Sequence, residues 1–213
     1  MRPHNNVFQF HREILTKEQV ELLRLIKAFK REFYIVGGTA TALYLGHRRS
    51  IDFDLFKFGE LRKRAIKDKI ENNRYSYKII HQSYEEFTIE VNSVKITFYN
   101  YPYNINIQIN FDNIINLPTL LDLAAMKALA LGGRAKWKDY VDLYFILREY
   151  YSLKDISLNA KKIFRDHFSE KLFHQQLCYF EDIDYSESID YIDTAVKDIE
   201  IKNFLTNVAT TLF

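Results

Sequence analysis

A single cysteine, Cys178, is all that the 213-residue sequence offers. It allows no internal disulfide and no cysteine-zinc cluster, which excludes a disulfide-stapled secreted scaffold and makes a reducing cytoplasm the expected setting. Only three prolines occur, none after Pro118, and no linker-like run, internal repeat or low-complexity segment divides the chain. Long apolar runs are missing too. The most apolar stretch, residues 117 to 131, is interrupted by Asp122 and Lys127, and Met1-Arg2-Pro3-His4-Asn5-Asn6 has no apolar signal core. Neither a membrane span nor a targeting leader is therefore expected. A net charge of only +2 does not suit a general nucleic-acid binder. It hides an asymmetry: residues 1 to 80 carry 17 Lys/Arg against 9 Asp/Glu, and residues 181 to 200 carry 1 against 8.

What is present suits a compact chain with one substantial core, or two small ones sharing an interface: 47% of residues are apolar and 27% charged. Thr16 and Gln19 form a capping box ahead of Leu22, Ile26, Phe29 and Phe33, predicting a helix over about 17 to 32. Tyr34-Ile35-Val36 reads as a buried strand ending at Gly37-Gly38, and residues 39 to 45 as a short helix closed by Gly46. After His47-Arg48-Arg49-Ser50, residues 51 to 56 alternate with period two. That pattern is a strand with Ile51, Phe53 and Leu55 on one side and Asp52 and Asp54 on the other. A helix carrying Leu61, Ile66 and Ile70 follows. Residues 75–83, 86–91 and 94–101 are then β-rich, with Asn92-Ser93 placed to turn a hairpin. Strands are expected between about 34 and 111. From Thr119 the pattern is helical: one helix capped by Thr119 and Asp122 and ended by Gly132-Gly133, a second over 138 to 150, then three more. The expectation is an α+β protein, with a mixed α/β unit over 1–116 packed on a helical unit over 117–213.

Two aspartates at i and i+2 on a strand project together, and they repel unless a cation sits between them. Acids on an exposed edge strand would look the same. Gly37-Gly38 at a strand end, followed by a helix opening with Thr39, leaves free N–H groups that attract phosphate, although a glycine pair also makes an ordinary tight turn. The conjunction of strand, Gly-Gly-Thr, short helix, Arg48-Arg49-Ser50 and Asp-Phe-Asp is more specific than any part of it. Carboxylates for metal and a cradle for phosphate suit one ligand, a magnesium nucleoside triphosphate.

These residues resemble a known family. Gly37-Gly38-Thr39-Ala40, Leu43, His47-Arg48-Arg49-Ser50 and Asp52-Phe53-Asp54-Leu55-Phe56 are similar to the first motif of the AbiEii/AbiGii toxin family of nucleotidyltransferases. The resemblance continues through residues 121–127, 133–144 and 179–184. It implies a polymerase-β-like nucleotidyltransferase fold, with Gly37, Gly38, Thr39, Arg48, Arg49 and Ser50 around the triphosphate. Asp52 and Asp54 would bind magnesium (or manganese), Lys127 would contact phosphate, and Asp142 would be a later acid needed for activity. It also implies the toxin half of a bacterial toxin–antitoxin or phage-defence pair, a cognate antitoxin partner, and an RNA acceptor such as the 3′ end of transfer RNA.

Read from the residues alone, Lys127 sits on an apolar helix and needs an anion, which a bound phosphate, Asp122 or Asp142 would supply; snorkelling to the surface is the other solution. Asp139 and Asp142 share a helix face. Polymerase-β-like enzymes commonly take a third carboxylate from a neighbouring strand. Here residues 94–101 provide Lys95, Thr97 and Tyr99 instead, so the general base is unassigned, with Glu90, Asp139 and Asp142 as stand-ins. The basic run Arg62, Lys63, Arg64, Lys67 and Lys69 reads as a solvated helix face or as an RNA-backbone contact, and the acidic run around 181–193 as its internal balance. Two other functions are compatible with these residues. One is nucleotide transfer to a protein or small molecule, the other a catalytically silent binding module.

Overall fold

The computed structural model describes residues 9–211; the polar Met1 to Asn6 stretch lies outside them. Helix α1 (Lys17–Ala28) starts at the capping box, with the Thr16 hydroxyl accepting from the Gln19 N–H and the Gln19 side chain returning to the Thr16 N–H. It stops four residues earlier than its apolar period suggests. Phe29 and Phe33 turn down onto Phe98 of the sheet, with ring centroids 4.8 and 5.2 Å away, and the chain swings into strand β1 (Tyr34–Val36).

Helix α2 (Gly37–Leu45) follows directly and ends at Gly46 in the left-handed conformation. Strand β2 (Phe53–Lys57) begins two residues later than the period-two pattern suggests. The Ser50 and Asp52 carbonyls accept from the Thr39 hydroxyl, and Ser50 also accepts from the Gln19 amide, so neither carbonyl is free to pair with a strand. Then come α3 (Lys63–Asn72), β3 (Lys78–Gln82), β4 (Glu86–Val91) and β5 (Val94–Asn100). Asn92 and Ser93 both adopt positive φ, the turn that matches hairpin twist. A second hairpin, β6 (Ile109–Phe111) and β7 (Ile115–Leu117), turns through positive-φ Asp112 and Asn113 and extends the strand region beyond 111.

The seven strands form one mixed sheet in the order β3-β4-β5-β2-β1-β7-β6, with β2 parallel to β5 and β1 parallel to β7. Register sorts its faces. Ile35, Leu55, Phe98 and Phe87 align across four strands and are all buried, making the face on which Phe29 and Phe33 pack. The rows on the other face are Val36, Asp54, Thr97 and Thr88, then Tyr34, Phe56, Tyr99 and Glu86. Period-two alternation puts an apolar row on one face and mixed rows on the other, and the mixed rows are buried at Val36, Tyr34 and Thr88 and partly accessible at Asp54, Thr97, Phe56, Tyr99 and Glu86.

Helix α4 (Leu120–Leu131) is capped by Thr119, which accepts from the Asp122 N–H, and ends at Gly132. Helices α5 (Trp137–Glu149), α6 (Leu153–Phe164), α7 (Glu170–Cys178) and α8 (Asp198–Thr210) complete the chain, with a 3-10 turn after α6. Among the described residues no helix is long and apolar enough to cross a membrane.

Candidate active site

The mixed face of the sheet and α4 enclose a cleft of about 620 Å³, lined by Gly37, Asp54, Phe56, Lys95, Thr97, Tyr99, Tyr101, Met126, Lys127, Arg134 and Asp139 among others. That volume lies within the range of nucleotide-sized ligand sites. A narrower recess of about 110 Å³ shares Gly37, Asp54, Lys95, Arg134 and Asp139 with it. The recess adds Gly38, Arg48, Ser50, Asp52, Lys136, Lys138 and Glu187. The glycine turn and the aspartate strand thus meet one space, because Val36 and Asp54 are partners in the β1–β2 register.

Gly37 has φ +70°, and a Cβ there would stand 2.1 Å from Asp54 Oδ2; at Gly38 a Cβ would stand 2.7 Å from Ser50 Oγ and 2.9 Å from Arg48 Nη2. Glycine is required at both positions so that side chains can close on the backbone. No side chain caps α2, so its first-turn N–H groups stay available to an anion. Thr39 does not face the cleft with its hydroxyl. It is 1% exposed and donates to the Ser50 and Asp52 carbonyls, which ties the loop ahead of β2 to α2.

Burial, and then the neighbouring Asp52 charge, push Asp54 up to about 6. Asp52 is ion-paired to Lys95, with Nζ to Oδ2 2.8 Å. The raised Asp54 has a stability consequence whose sign is fixed. Its folded-state value exceeds the unfolded one of about 3.9, so stability falls as pH rises between them. Asp54→Asn removes that loss, and in chelator-treated buffer near pH 8 it should stabilise by about 1–3 kcal/mol, raising Tm by several degrees. The gain should shrink below about pH 6 and vanish near pH 4. Thermal melts across that range check it, and an unchanged Tm at pH 8 would mean that the carboxylate is not strained.

Asp142 lines neither cavity. Fully buried, it accepts two hydrogen bonds from the Arg48 guanidinium (2.7 and 2.8 Å), lies 2.7 Å from His47 Nε2 and 2.6 Å from Lys127 Nζ. Burial alone would raise its pKa, but Arg48 and Lys127 outweigh that and hold it well below the usual carboxylate range. His47 is shifted down by burial against the pull of Asp142, so it stays neutral at pH 7. Lys127 Nζ also donates to Asp139 at 2.8 Å, and Arg134 reaches Asp139 at 3.3 Å. Lys127 therefore borders the cleft with its ammonium braced by two acids, and Asp142 is the post that sets both Lys127 and Arg48.

Arg49 faces away from both cavities; its N–H and guanidinium hold the Asp190 segment, and the guanidinium also reaches the Glu13 carbonyl. The acidic run finds partners within the fold: Glu187 pairs with Lys136 (2.6 Å) and Lys138, and their charges, against the opposing effect of burial, hold it at about 2. On α3, Lys63 donates to the Ser83 carbonyl, Lys67 lies over the Phe87 ring at 5.4 Å and Lys69 pairs with Glu32 at 3.1 Å; this helix borders neither cavity.

Arg134, Lys136, Lys138, Lys95 and Glu187 border the recess, although no local pattern marks them as site residues beyond a cluster of three cations in Arg134-Ala135-Lys136-Trp137-Lys138, just before an acid. Among the described residues no group of three His, Cys, Asp or Glu side chains is placed to hold a metal ion.

The profile of a family described as "Nucleotidyl transferase AbiEii toxin, Type IV TA system" matches residues 22–208. The chain is 34% identical over 179 residues to an uncharacterised Aquifex aeolicus (strain VF5) protein, aq_aa25, covering 79% of this chain and 84% of that one. Its fold is similar to MenT4, a nucleotidyltransferase toxin from Mycobacterium tuberculosis H37Rv (TM-score 0.61, 12% identity, 91% and 82% of the two chains). JHP933 from Helicobacter pylori is also similar (0.54, 15%, 92% and 91%).

Proposed function

Since this chain belongs to the AbiEii nucleotidyltransferase toxin family and has its polymerase-β-like fold, we propose that it transfers a nucleoside monophosphate from a triphosphate to an RNA hydroxyl, using one divalent cation. The observation that carries this reading is the pairing of Asp54, pushed up to about 6 beside Asp52, with the bare glycine turn at one end of the cleft. A carboxylate pair under repulsion suits magnesium or manganese, which takes one or two carboxylates and fills its remaining positions with phosphates and water. Bound there, the cation would neutralise charge on the leaving oxygens.

The chain's own groups then have distinct tasks. The N–H groups of Gly37, Gly38 and Thr39 receive phosphate oxygens at the α2 N-terminus. Arg134, 57% exposed at its side chain and bordering both cavities, reaches Asp139 with one guanidinium nitrogen at 3.3 Å and has further N–H donors for the departing pyrophosphate, whereas Arg48 is committed to Asp142. Lys127 adds fixed charge from the α4 side. The rings of Phe56, Tyr99 and Tyr101 give the base an apolar wall. The acceptor oxygen bonds to the α-phosphorus, the bridging oxygen to the β-phosphorus leaves with its electron pair as pyrophosphate, and the hydroxyl proton passes to solvent water. We take the acceptor to be an RNA, with the 3′ end of transfer RNA first among candidates, and the partner to be a cognate antitoxin, a reading that membership of this toxin family supports.

Incubating the protein with each α-labelled triphosphate, magnesium and total cellular RNA should label one RNA size class on a denaturing gel. Labelling of protein or small molecules alone would redirect the acceptor. No labelling under any condition would favour the silent module. Arg134→Ala should raise KM for the triphosphate about tenfold, the value of one charge-assisted phosphate contact, with Tm unchanged because the guanidinium is exposed. An unaltered KM would remove Arg134 from the phosphate path.

A further inference from the structure

Strand β5 carries a lysine where a third carboxylate would be expected. In the parallel β2–β5 register Phe53 lies beside Ile96 and Asp54 beside Thr97, which sets Lys95 level with Asp52. The residues of β5 on the cleft side are Lys95, Thr97 and Tyr99, and Lys95 Nζ lies 2.8 Å from Asp52 Oδ2. Lys95 borders both the cleft and the phosphate recess. The acids opposite on β4 do not substitute: Glu86 accepts from the Thr88 hydroxyl, and Glu90, the cross-strand partner of Lys95, borders neither cavity. Asp139 borders both cavities but is engaged by Lys127 and Arg134.

We infer that Lys95 is a tethered cation standing where a two-ion centre would hold its second metal, so that each catalytic cycle uses a single divalent cation carried in on the triphosphate. This rests on the nucleotidyl-transfer reading above. An ammonium and a second dication cannot share the Asp52 carboxylate in a partly buried site without strong repulsion. Arg134, Lys136 and Lys138 border the same recess, but Asp139 and Glu187 answer them there, so Lys95 is the cation set directly against Asp52. When the nucleotide and its metal engage Asp52 and Asp54, the Lys95 ammonium is left beside the α-phosphate, where it donates to a non-bridging oxygen. There it offsets charge as the new phosphorus–oxygen bond forms and the bridging bond breaks. A lysine does this as a point charge and needs no ligand set of its own.

The test counts metal rather than product. Manganese bound per chain is measured by electron paramagnetic resonance with α,β-methylene analogues of the four nucleoside triphosphates, keeping protein in excess over analogue. The wild type should hold one manganese per bound analogue, and Lys95→Asp, which restores a third carboxylate, should hold two. Without nucleotide, Lys95→Met should bind manganese about fivefold more tightly than the wild type, because Asp52 loses a competing partner. Two manganese ions per analogue in the wild type would overturn the inference while leaving nucleotidyl transfer intact, and so would unchanged metal affinity in Lys95→Met. If analogue and manganese fail to bind together at all, the nucleotide reading of the cleft falls as well. The wild-type count decides the matter even if Lys95→Asp does not fold.

Discussion

Replacing Asp52 or Asp54 by Asn should each lower kcat/KM for nucleotidyl transfer by about a thousandfold or more, with the fold retained. The amide preserves size and one hydrogen-bond acceptor but removes the charge that a divalent cation needs, and such a cation contributes several kcal/mol to a phosphoryl transition state. Asp54→Asn should combine lost activity with a higher Tm at neutral pH, since the carboxylate is half-buried beside the Asp52 charge and is pushed up to about 6. That opposition separates a functional carboxylate from a structural one, because a structural acid would lose stability on the same change. Single-turnover labelling with circular dichroism melts on the same preparations measures both. Full transfer activity in Asp52→Asn would sink the metal-carboxylate mechanism.

Asp142→Ala should be the most destabilising single change in the site, by about 3–5 kcal/mol, or roughly 10 °C in Tm. The carboxylate is buried and answers the Arg48 guanidinium, the Lys127 ammonium and the His47 ring at 2.6–2.8 Å. Without it, two buried cations lose a counter-charge and the loop after α2 loses its link to α5. The pH dependence has the opposite sign to that of Asp54. Asp142 is held below its unfolded value, so its contribution is complete above about pH 5 and is lost as pH falls through the unfolded value near 3.9 and beyond. Denaturant melts of wild type and Asp142→Ala at pH 7 and pH 3.5 check this. A difference below about 1 kcal/mol at pH 7 would mean that the buried charges have other partners. Activity should fall along with stability, through loss of the Lys127 and Arg48 orientations rather than through any contact between Asp142 and substrate.

Local rules were enough for the framework around the site. The Thr16 and Thr119 caps, the Gly46 stop, the Asn92-Ser93 hairpin and the alternation at Asp52 to Phe56 depend on residues within a few positions of one another, and a single sequence contains all of that information. The same holds for the core of the candidate site: a glycine turn after a buried strand, then two aspartates with period two, put the uncapped start of α2 beside a carboxylate pair. Tertiary structure decided how the charges are shared. Which acid receives Lys127, whether Thr39 or Arg49 faces the ligand, and what Lys95 touches depend on partners 11 to 141 positions away. Periodicity says nothing about contacts at such separations. Asp142 is the clearest case: as one acid among several on a helix it resembled a group that meets the ligand. Only the packing of α5 against the loop after α2 turned it into a buried counter-charge. Lys95 went the other way. An unremarkable lysine on a strand became a neighbour of the Asp52–Asp54 pair because β5 lies parallel to β2, a pairing that joins segments separated by a helix and two strands and that no local pattern encodes.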